Sequence, residues 1–262
     1  MSTSLFDLHG KVAVITGGNG GIGLGCALGL AQAGADIAIW ARNAEKGARA
    51  IAEIEAAGVR AIFCPVDVTD RAKIDEAVAV TVSELGGIDI LIASAGINLR
   101  KRPEDFSAHE MRQVWDSNIT APFECSQAVY EEMKKRGGGK IITIGSVTSV
   151  FGFGISPAYS ASKGAVVQLT KSLAAAWGAD NIQVNSILPG WIETDMTVES
   201  RGIPSLSDQV LNRTPAGRWG TPKDLVGTTV FLSSAASDFV TGSAIPVDGG
   251  FISTLFLVDP PI

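Results

Sequence analysis

Three polar residues, Ser146, Tyr159 and Lys163, have side chains and spacings that suit proton transfer. Tyr159 and Lys163 are four residues apart, so on a helix both side chains lie on one face. A free tyrosine has a pKa near ~10, and a neighbouring ammonium favours its phenolate. We therefore expect Lys163 to lower the pKa of Tyr159, which could then exchange a proton with a substrate oxygen. The hydroxyl of Ser146, which follows an apolar run, could donate a hydrogen bond to that same oxygen.

The composition is that of a globular protein, and it excludes several functional classes. The chain has 262 residues, of which 46% are hydrophobic and 18% charged, enough for a large α/β core. A net charge of −6 argues against a nucleic-acid partner. The first residues show no secretion signal and no apolar run could span a bilayer, so we expect a cytoplasmic protein without a membrane partner. The three cysteines lack metal-ligand spacing, so we expect buried free thiols and no metal site.

A glycine-rich turn, Thr16 to Gly23, separates a short β-branched run from a helical pattern. It satisfies both G-x-G-x-x-G and the related G-x-x-x-G-x-G. Glycines let the backbone turn sharply and approach a pyrophosphate, whose charge a helix N-terminus stabilises. Because the turn lies between a buried strand and a helix, it predicts a dinucleotide cofactor.

The end of the second predicted strand bears on which cofactor binds. An NAD-binding protein usually has a carboxylate there that accepts from the ribose 2′-hydroxyl. Here the sequence is Ala41-Arg42-Asn43, and Asp36 lies several residues too early. Arg42 could instead pair with a 2′-phosphate through its planar guanidinium. The sequence therefore favours NADP(H), with NAD(H) the alternative and a solvated Arg42 the simplest non-functional interpretation.

Strand and helix patterns alternate along the rest of the chain. Further strands are predicted at 36–40, 61–66, 88–93, 139–144, 183–188 and 244–247. This alternation predicts an α/β, Rossmann-like, doubly wound seven-stranded parallel sheet in a single domain spanning 1–262. Ligands in such sheets bind at the carboxyl ends of the strands. Periodicity weakens at about 191–213, which we interpret as a mobile lid over the substrate.

These features together resemble the short-chain dehydrogenase/reductase family over nearly the whole chain. The resemblance rests on seven motifs in the family's order. They are Thr16 to Gly23, Asp67-Val68, Asn118, Ser146, Tyr159-x-x-x-Lys163, Pro189-Gly190 with Thr194, and Val247-Asp248-Gly249-Gly250. The resemblance implies an oxidoreductase that interconverts a secondary alcohol and a ketone, in which the cofactor carries a hydride and Tyr159 a proton.

The resemblance also implies a role for each matching residue. Tyr159 is the acid/base, Lys163 holds the nicotinamide ribose and lowers the Tyr159 pKa, and Ser146 binds the reacting oxygen. Asn118 holds a water in a proton relay; its residue type alone indicates only a structural asparagine. The expected cofactor-binding residues are Gly17, Asn19, Gly20, Gly21, Ile22, Gly23, Arg42, Asn43, Asp67, Val68, Ala95, Gly96, Tyr159, Lys163, Pro189, Gly190, Ile192 and Thr194.

One motif departs from the family. The usual Asn-Asn-Ala-Gly after the fourth strand is Ala93-Ser94-Ala95-Gly96 here. No amide side chain is present to brace that strand, so we expect different local hydrogen bonds and no loss of activity.

The substrate is predicted from a basic loop, Asn98 to Arg102, and from the resemblance. The segments 98–101 and 218–222 are similar to the branch of the family that acts on sugar acids, which includes gluconate 5-dehydrogenase and 2-deoxygluconate 3-dehydrogenase. A substrate carboxylate meeting Arg100 makes physical sense. The alternatives are a 3-oxoacyl-carrier-protein reductase and a general ketone or polyol reductase. The expected substrate residues are Arg100, Ser146, Phe153, Tyr159, Trp191 and Met196.

Two further expectations concern a non-catalytic alternative and the oligomeric state of the protein. A nucleotide-binding protein that has lost catalysis is the remaining alternative, and the intact Ser146, Tyr159 and Lys163 argue against it. Members of the family commonly form homotetramers through helices that would be 107–136 and 157–178 here. The apolar tail at 255–258 would be a liability in water, so we expect it to pack on a neighbouring subunit.

Overall fold

The central β-strands are short apolar runs whose side chains are buried on both faces, as in a parallel sheet covered by helices on each side. The computed structural model describes residues 5–254, and the tail at 255–258 lies outside the described residues. The strands of the sheet are Val12–Thr16 (β1), Asp36–Ala41 (β2), Ala61–Pro65 (β3), Ile90–Ala93 (β4), Gly139–Ile144 (β5), Ile182–Pro189 (β6) and Ala244–Val247 (β7).

All neighbouring strands in this seven-stranded sheet are parallel, in the order β3-β2-β1-β4-β5-β6-β7. The order reverses beside β1, which pairs with β2 on one side and with β4 on the other. This confirms the predicted doubly wound, Rossmann-like sheet. The crevice that ligands use in such sheets lies at the carboxyl ends of β1 and β4.

Helices cover both faces of the sheet and bury two apolar layers. The α-helices are Gly21–Gln32 (α1), Ala44–Glu55 (α2), Arg71–Leu85 (α3), Ala108–Trp115 (α4), Ala121–Lys135 (α5), Pro157–Trp177 (α6), Val198–Arg201 (α7), Pro204–Arg213 (α8) and Val226–Ser233 (α9). Leu30 of α1 and Leu232 of α9 pack with Ile15 on one face. Ile74 of α3, Val129 of α5 and Leu173 of α6 join the layer on the other face.

Two segments differ from the sequence prediction. The helix expected from Ser107 onward is interrupted by a π-helical turn, Asp116–Thr120, between α4 and α5. The weakly periodic segment at 191–213 contains two helices, α7 and α8. They span 4 and 10 residues, which is shorter than the window of about 11–18 residues in which a helical period is recognised. Pro204 at the first position of α8 was the one local signal for a helix start there.

The described helices also bear on membrane association. None of those within residues 5–254 combines the length and the hydropathy needed to cross a bilayer.

Candidate active site

Ser146, Tyr159 and Lys163 meet where β5 ends and α6 begins. Ser146 follows β5 by two residues, and Pro157 occupies the first position of α6, where its missing N–H has no cost. Tyr159 and Lys163 share one face of α6, with Lys163 Nζ 5.4 Å from the centre of the Tyr159 ring. Ser146 is 8% exposed and Lys163 is 6% exposed, so the cluster is largely shielded from water.

The loop that carries Ser146 is tied to α6 through Ser149. The Ser149 hydroxyl donates to the Lys163 carbonyl at 2.7 Å and accepts the Ser146 backbone N–H at 3.1 Å. The Ser146 hydroxyl in turn accepts the Thr148 backbone N–H at 3.1 Å. Because that bond uses an oxygen lone pair, the Ser146 hydroxyl proton remains available to a neighbouring oxygen.

The acid–base properties of the pair differ from the sequence-based expectation. Burial raises the pKa of Tyr159 to about 12, and the hydrogen bond with Ser146 and the charge of Arg100 only partly oppose this. Burial lowers the pKa of Lys163 to about 8. The expectation that Lys163 lowers the pKa of Tyr159 is therefore wrong for the protein without cofactor. The physical reason is that burial of the phenol outweighs the groups that would stabilise its charged form. The Lys163 ammonium donates to the Ile144 carbonyl at 2.7 Å.

Asn118 lies in the π-helical turn and connects two parts of the site. Its Oδ1 accepts the Ile97 N–H at 2.9 Å, and its Nδ2 donates to the Ile97 carbonyl at 2.9 Å and to Ser162 Oγ at 3.0 Å. These bonds hold the loop after β4 against α6. Asn118 donates both of its Nδ2 hydrogens to protein atoms, so it has no free N–H with which to bind a water molecule.

Thr16 takes the place of the absent amide after β4. Its hydroxyl accepts the backbone N–H groups of Ser94 and Ala95, both at 3.0 Å. This braces the end of β4 against the end of β1. Thr16 was not among the predicted site residues, although its position directly before the glycine-rich turn could have indicated it.

A large cleft of about 530 Å³ opens at the carboxyl ends of β1 to β4. Gly17 and Gly21 take left-handed backbone angles, with φ of 65° and 52°, which glycine adopts without strain. A Cβ on Gly23 would lie 2.5 Å from the Gly17 carbonyl oxygen, so only glycine lets α1 start this close to the turn. The predicted cofactor residues that line the cleft are Gly17, Asn19, Arg42, Asn43, Asp67, Val68, Ala95 and Gly96.

The two cations in this cleft lie where β2 leads into α2. Arg42 is 71% exposed, and its Nη1 lies 3.8 Å from the Asp67 carboxylate. Hydrogen bonds from Thr69 hold the pKa of Asp67 below its usual value, and the charge of Arg42 adds to this. Lys46, which the sequence analysis missed, lines the same cleft and forms a 2.8 Å ion pair with Asp195. An anionic group entering here meets two cations, so the cleft fits a phosphorylated dinucleotide.

The remaining predicted cofactor residues flank the cleft rather than line it. Gly20 is the N-cap of α1, which Gly21, Ile22 and Gly23 begin. Pro189 ends β6, and the Gly190 N–H donates to the Val247 carbonyl at 3.0 Å. Ile192 pairs with Gly220 in an isolated bridge. A Cβ on Gly21 would lie 3.3 Å from Thr194 Cγ2, so this segment touches the glycine-rich turn.

A smaller cavity, of about 80 Å³, adjoins the Ser146 and Tyr159 hydroxyls. It contains all six predicted substrate residues together with Asn98, Thr148 and Thr197, which the sequence analysis did not assign to the substrate. Arg100 projects into it and is held by the Met196 carbonyl, to which its Nη2 donates at 3.1 Å. The lining residues are Asn98, Arg100, Ser146, Val147, Thr148, Phe153, Tyr159, Gly190, Trp191, Met196 and Thr197.

The arrangement can polarise and protonate one oxygen. Two hydroxyls, from Ser146 and Tyr159, face the same small cavity. The described residues contain no group of three or more His, Cys, Asp or Glu side chains placed to hold a metal. The geometry therefore supports acid–base chemistry on a carbonyl or alcohol beside a dinucleotide cleft.

Comparison with known proteins decides the family. Residues 17–252 match the family model described as enoyl-(acyl carrier protein) reductase. The chain belongs to the short-chain dehydrogenase/reductase family. Members of this family are oxidoreductases, so the predicted enzyme class is confirmed.

Similar members of the family include proteins named for sugar acids. The chain is 44% identical to gluconate 5-dehydrogenase of Gluconobacter oxydans, over 96% of this chain and 98% of the relative. It is 42% identical to 2-dehydro-3-deoxy-D-gluconate 5-dehydrogenase of Escherichia coli K12, over 97% and 100%. Among solved structures it is similar to a gluconate 5-dehydrogenase from Burkholderia cenocepacia in complex with NADP and tartrate. That similarity has a TM-score of 0.91 and 41% identity, and it covers 95% of this chain and 98% of that one.

Proposed function

We propose that this protein is an NADP(H)-dependent oxidoreductase that interconverts a secondary alcohol and a ketone on a sugar acid. The observation that carries the proposal is the position of Arg100. Its guanidinium shares one small cavity with the hydroxyls of Ser146 and Tyr159. A substrate with a carboxylate at one end and a carbonyl further along its chain would pair with both. Relatives more than 40% identical are named for such substrates.

The roles of the residues follow from their positions. The nicotinamide, when bound, supplies or accepts the hydride. Tyr159 donates a proton to the substrate oxygen in reduction and takes it back in oxidation. Burial raises the pKa of Tyr159 to about 12, so the phenol is protonated at neutral pH and can donate this proton. Ser146 donates a hydrogen bond to the same oxygen as charge develops on it. Lys163 places a buried cation beside the Tyr159 ring, and Asn118 holds the loop after β4 in place.

The proposal also includes a substrate lid, a homotetramer and a cytoplasmic location. The segment at 191–213 would close over the substrate, because Met196 and Thr197 already form one wall of the cavity. A homotetramer is supported by the partly exposed aromatic rings of Trp115 and Phe123 on the segments that precede β5. The three buried free thiols fit a reducing compartment such as the cytoplasm.

The activity is tested by following NADPH absorbance with a panel of carbonyl substrates. We expect reduction of 5-ketogluconate or a close relative, with little activity on acetoacetyl thioesters and simple aromatic ketones. Activity confined to thioesters would favour a carrier-protein reductase, and activity confined to apolar ketones would favour a general ketone reductase. Cofactor binding without turnover on any carbonyl would favour a non-catalytic protein.

Replacing Arg100 by alanine should weaken the use of acidic substrates. We expect kcat/KM for a keto-sugar acid to fall about 10- to 100-fold, the value of a charge-assisted hydrogen bond in a partly buried site. The measurement compares this substrate with an uncharged ketone, for which no such loss is expected. Arg102→Ala is the matched control, because Arg102 is exposed and pairs with Glu104 outside the cavity. An equal loss on both substrates would remove the carboxylate contact from the proposal.

Replacing Arg42 by alanine should reduce the preference for NADPH over NADH. We expect the NADPH dissociation constant to rise about 10-fold, the lower end for an exposed charge-assisted pair, while that of NADH stays close to wild type. Fluorescence titration of both cofactors at two salt concentrations measures this. Arg49→Ala is the control, since Arg49 is equally exposed and pairs with Glu45 on α2. A wild-type protein that prefers NADH would contradict the assignment of Arg42.

A further inference from the structure

The cavity beside Ser146 and Tyr159 contains an unusual concentration of unpaired polar atoms. Asn98 Oδ1, Thr148 Oγ1 and Trp191 Nε1 are buried without any hydrogen-bond partner, and all three residues line this cavity. Only three other buried side-chain polar atoms within residues 5–254 lack a partner. Each such atom costs about 1–3 kcal/mol, so native structures keep few of them and usually for a reason.

We propose, on the basis of the sugar-acid activity proposed above, that Asn98, Thr148 and Trp191 bind substrate hydroxyl groups. They thereby select a polyhydroxylated chain over a chain of methylene groups. The three atoms differ in hydrogen-bonding capacity: the amide oxygen only accepts, the indole N–H only donates, and the threonine hydroxyl does both. A substrate with hydroxyls on adjacent carbons offers donors and acceptors together and can satisfy all three. A methylene chain offers neither and leaves each atom unpaired.

Two other polar side chains of the cavity have hydrogen-bond partners within the protein. The Thr197 hydroxyl donates to the Ile192 carbonyl at 2.7 Å and accepts the Thr194 N–H at 3.0 Å. Arg100 donates to the Met196 carbonyl. The three atoms of Asn98, Thr148 and Trp191 therefore differ from these neighbours in having no partner within the protein.

The indole of Trp191 is held so that its N–H has a defined direction. Its ring makes edge contacts with Phe153 and Trp219, with ring centres 5.9 and 5.5 Å apart. The sequence analysis predicted Trp191 as a substrate residue, and its unpartnered N–H is the group that would contact the substrate. Met196 and Thr197 form the wall that must shift as substrate enters, since the unpaired atoms are shielded from water.

The test compares two keto acids that differ only in their hydroxyls. Both 5-ketogluconate and 5-oxohexanoate carry a carboxylate at C1 and a ketone at C5, and only the first has hydroxyls on the remaining carbons. We expect wild-type kcat/KM to favour 5-ketogluconate by at least about 10³-fold, because a site built for hydroxyls rejects substrates that lack them. Thr148→Val, Trp191→Phe and Asn98→Leu should each lower that ratio about 10- to 100-fold. Thr148→Ser, which keeps the hydroxyl, should restore it.

The outcomes separate this inference from the proposed function. A wild-type enzyme that reduces both keto acids equally well would overturn the inference and leave the carboxylate contact standing. Variants that lower both rates equally, or Thr148→Ser behaving like Thr148→Val, would show a structural role only and also overturn it. Failure of the wild type on both keto acids, with turnover of thioesters, would overturn the proposed function itself. The wild-type ratio needs no variant, so the test holds even if one substitution prevents folding.

Discussion

Replacing Tyr159 by phenylalanine is expected to abolish turnover while leaving NADPH binding close to wild type. The ring would keep its place on α6, and only the proton that the reaction needs would be lost. General acid–base catalysis contributes about 10²- to 10⁴-fold, so kcat should fall by that factor with any carbonyl substrate. Steady-state NADPH oxidation and fluorescence titration of NADPH together measure both halves of this prediction.

The chain offers one matched control for that experiment. Tyr130, on α5, is the only other tyrosine. Its hydroxyl donates to Asp180 at 2.6 Å, away from both cavities of the site. Tyr130→Phe removes the same atom and should leave turnover unchanged. Wild-type turnover in Tyr159→Phe would refute the assigned acid.

Replacing Lys163 by methionine is expected to act on activity and stability in opposite directions. Removing the buried cation beside Tyr159 should lower kcat about 10²- to 10³-fold, as for loss of one electrostatic donor in an active site. The fold should be at least as stable at pH 7. A lysine with a pKa near 8, against 10.5 for the free side chain, costs about 3 kcal/mol of stability at neutral pH. Replacing Lys163 by methionine removes this cost, but it also removes the hydrogen bond to Ile144, which offsets part of the gain in stability.

The stability difference between wild type and Lys163→Met should depend on pH. The folded pKa of Lys163 lies below the unfolded value, so the cost is fully present below pH 8 and is relieved as the pH rises toward 10.5. Urea unfolding at pH 7 and pH 9.5 should therefore show wild type gaining stability relative to Lys163→Met at the higher pH. Lys171→Met, on the exposed side of the same helix, should change neither activity nor this pH dependence. A variant with wild-type kcat, or one that is much less stable at pH 7, would contradict the assigned role.

Much of the fold could be predicted because local patterns and long-range packing agree. The boundaries of β5 and β7 were predicted to the residue. Arg71–Leu85 follows the Asp70 cap, and the apolar run Gly139–Ile144 is buried in the sheet. Pro157 marked the start of α6 in the same way. The helices α7 and α8 are shorter than the window of about 11–18 residues in which a helical period is recognised, and they were missed.

The sequence by itself determined the fold class, the family and the chemistry. Strand–helix alternation dictates a parallel sheet, and the spacing of Tyr159 and Lys163 places both on one helix face. Only the tertiary structure decided which distant residues join them. Thr16, Lys46 and Asn98 belong to no local motif with Ser146, and crossovers of the sheet bring them to its edge. It also decided the direction of the Tyr159 pKa shift, because burial depends on what packs around a side chain and not on its neighbours in sequence.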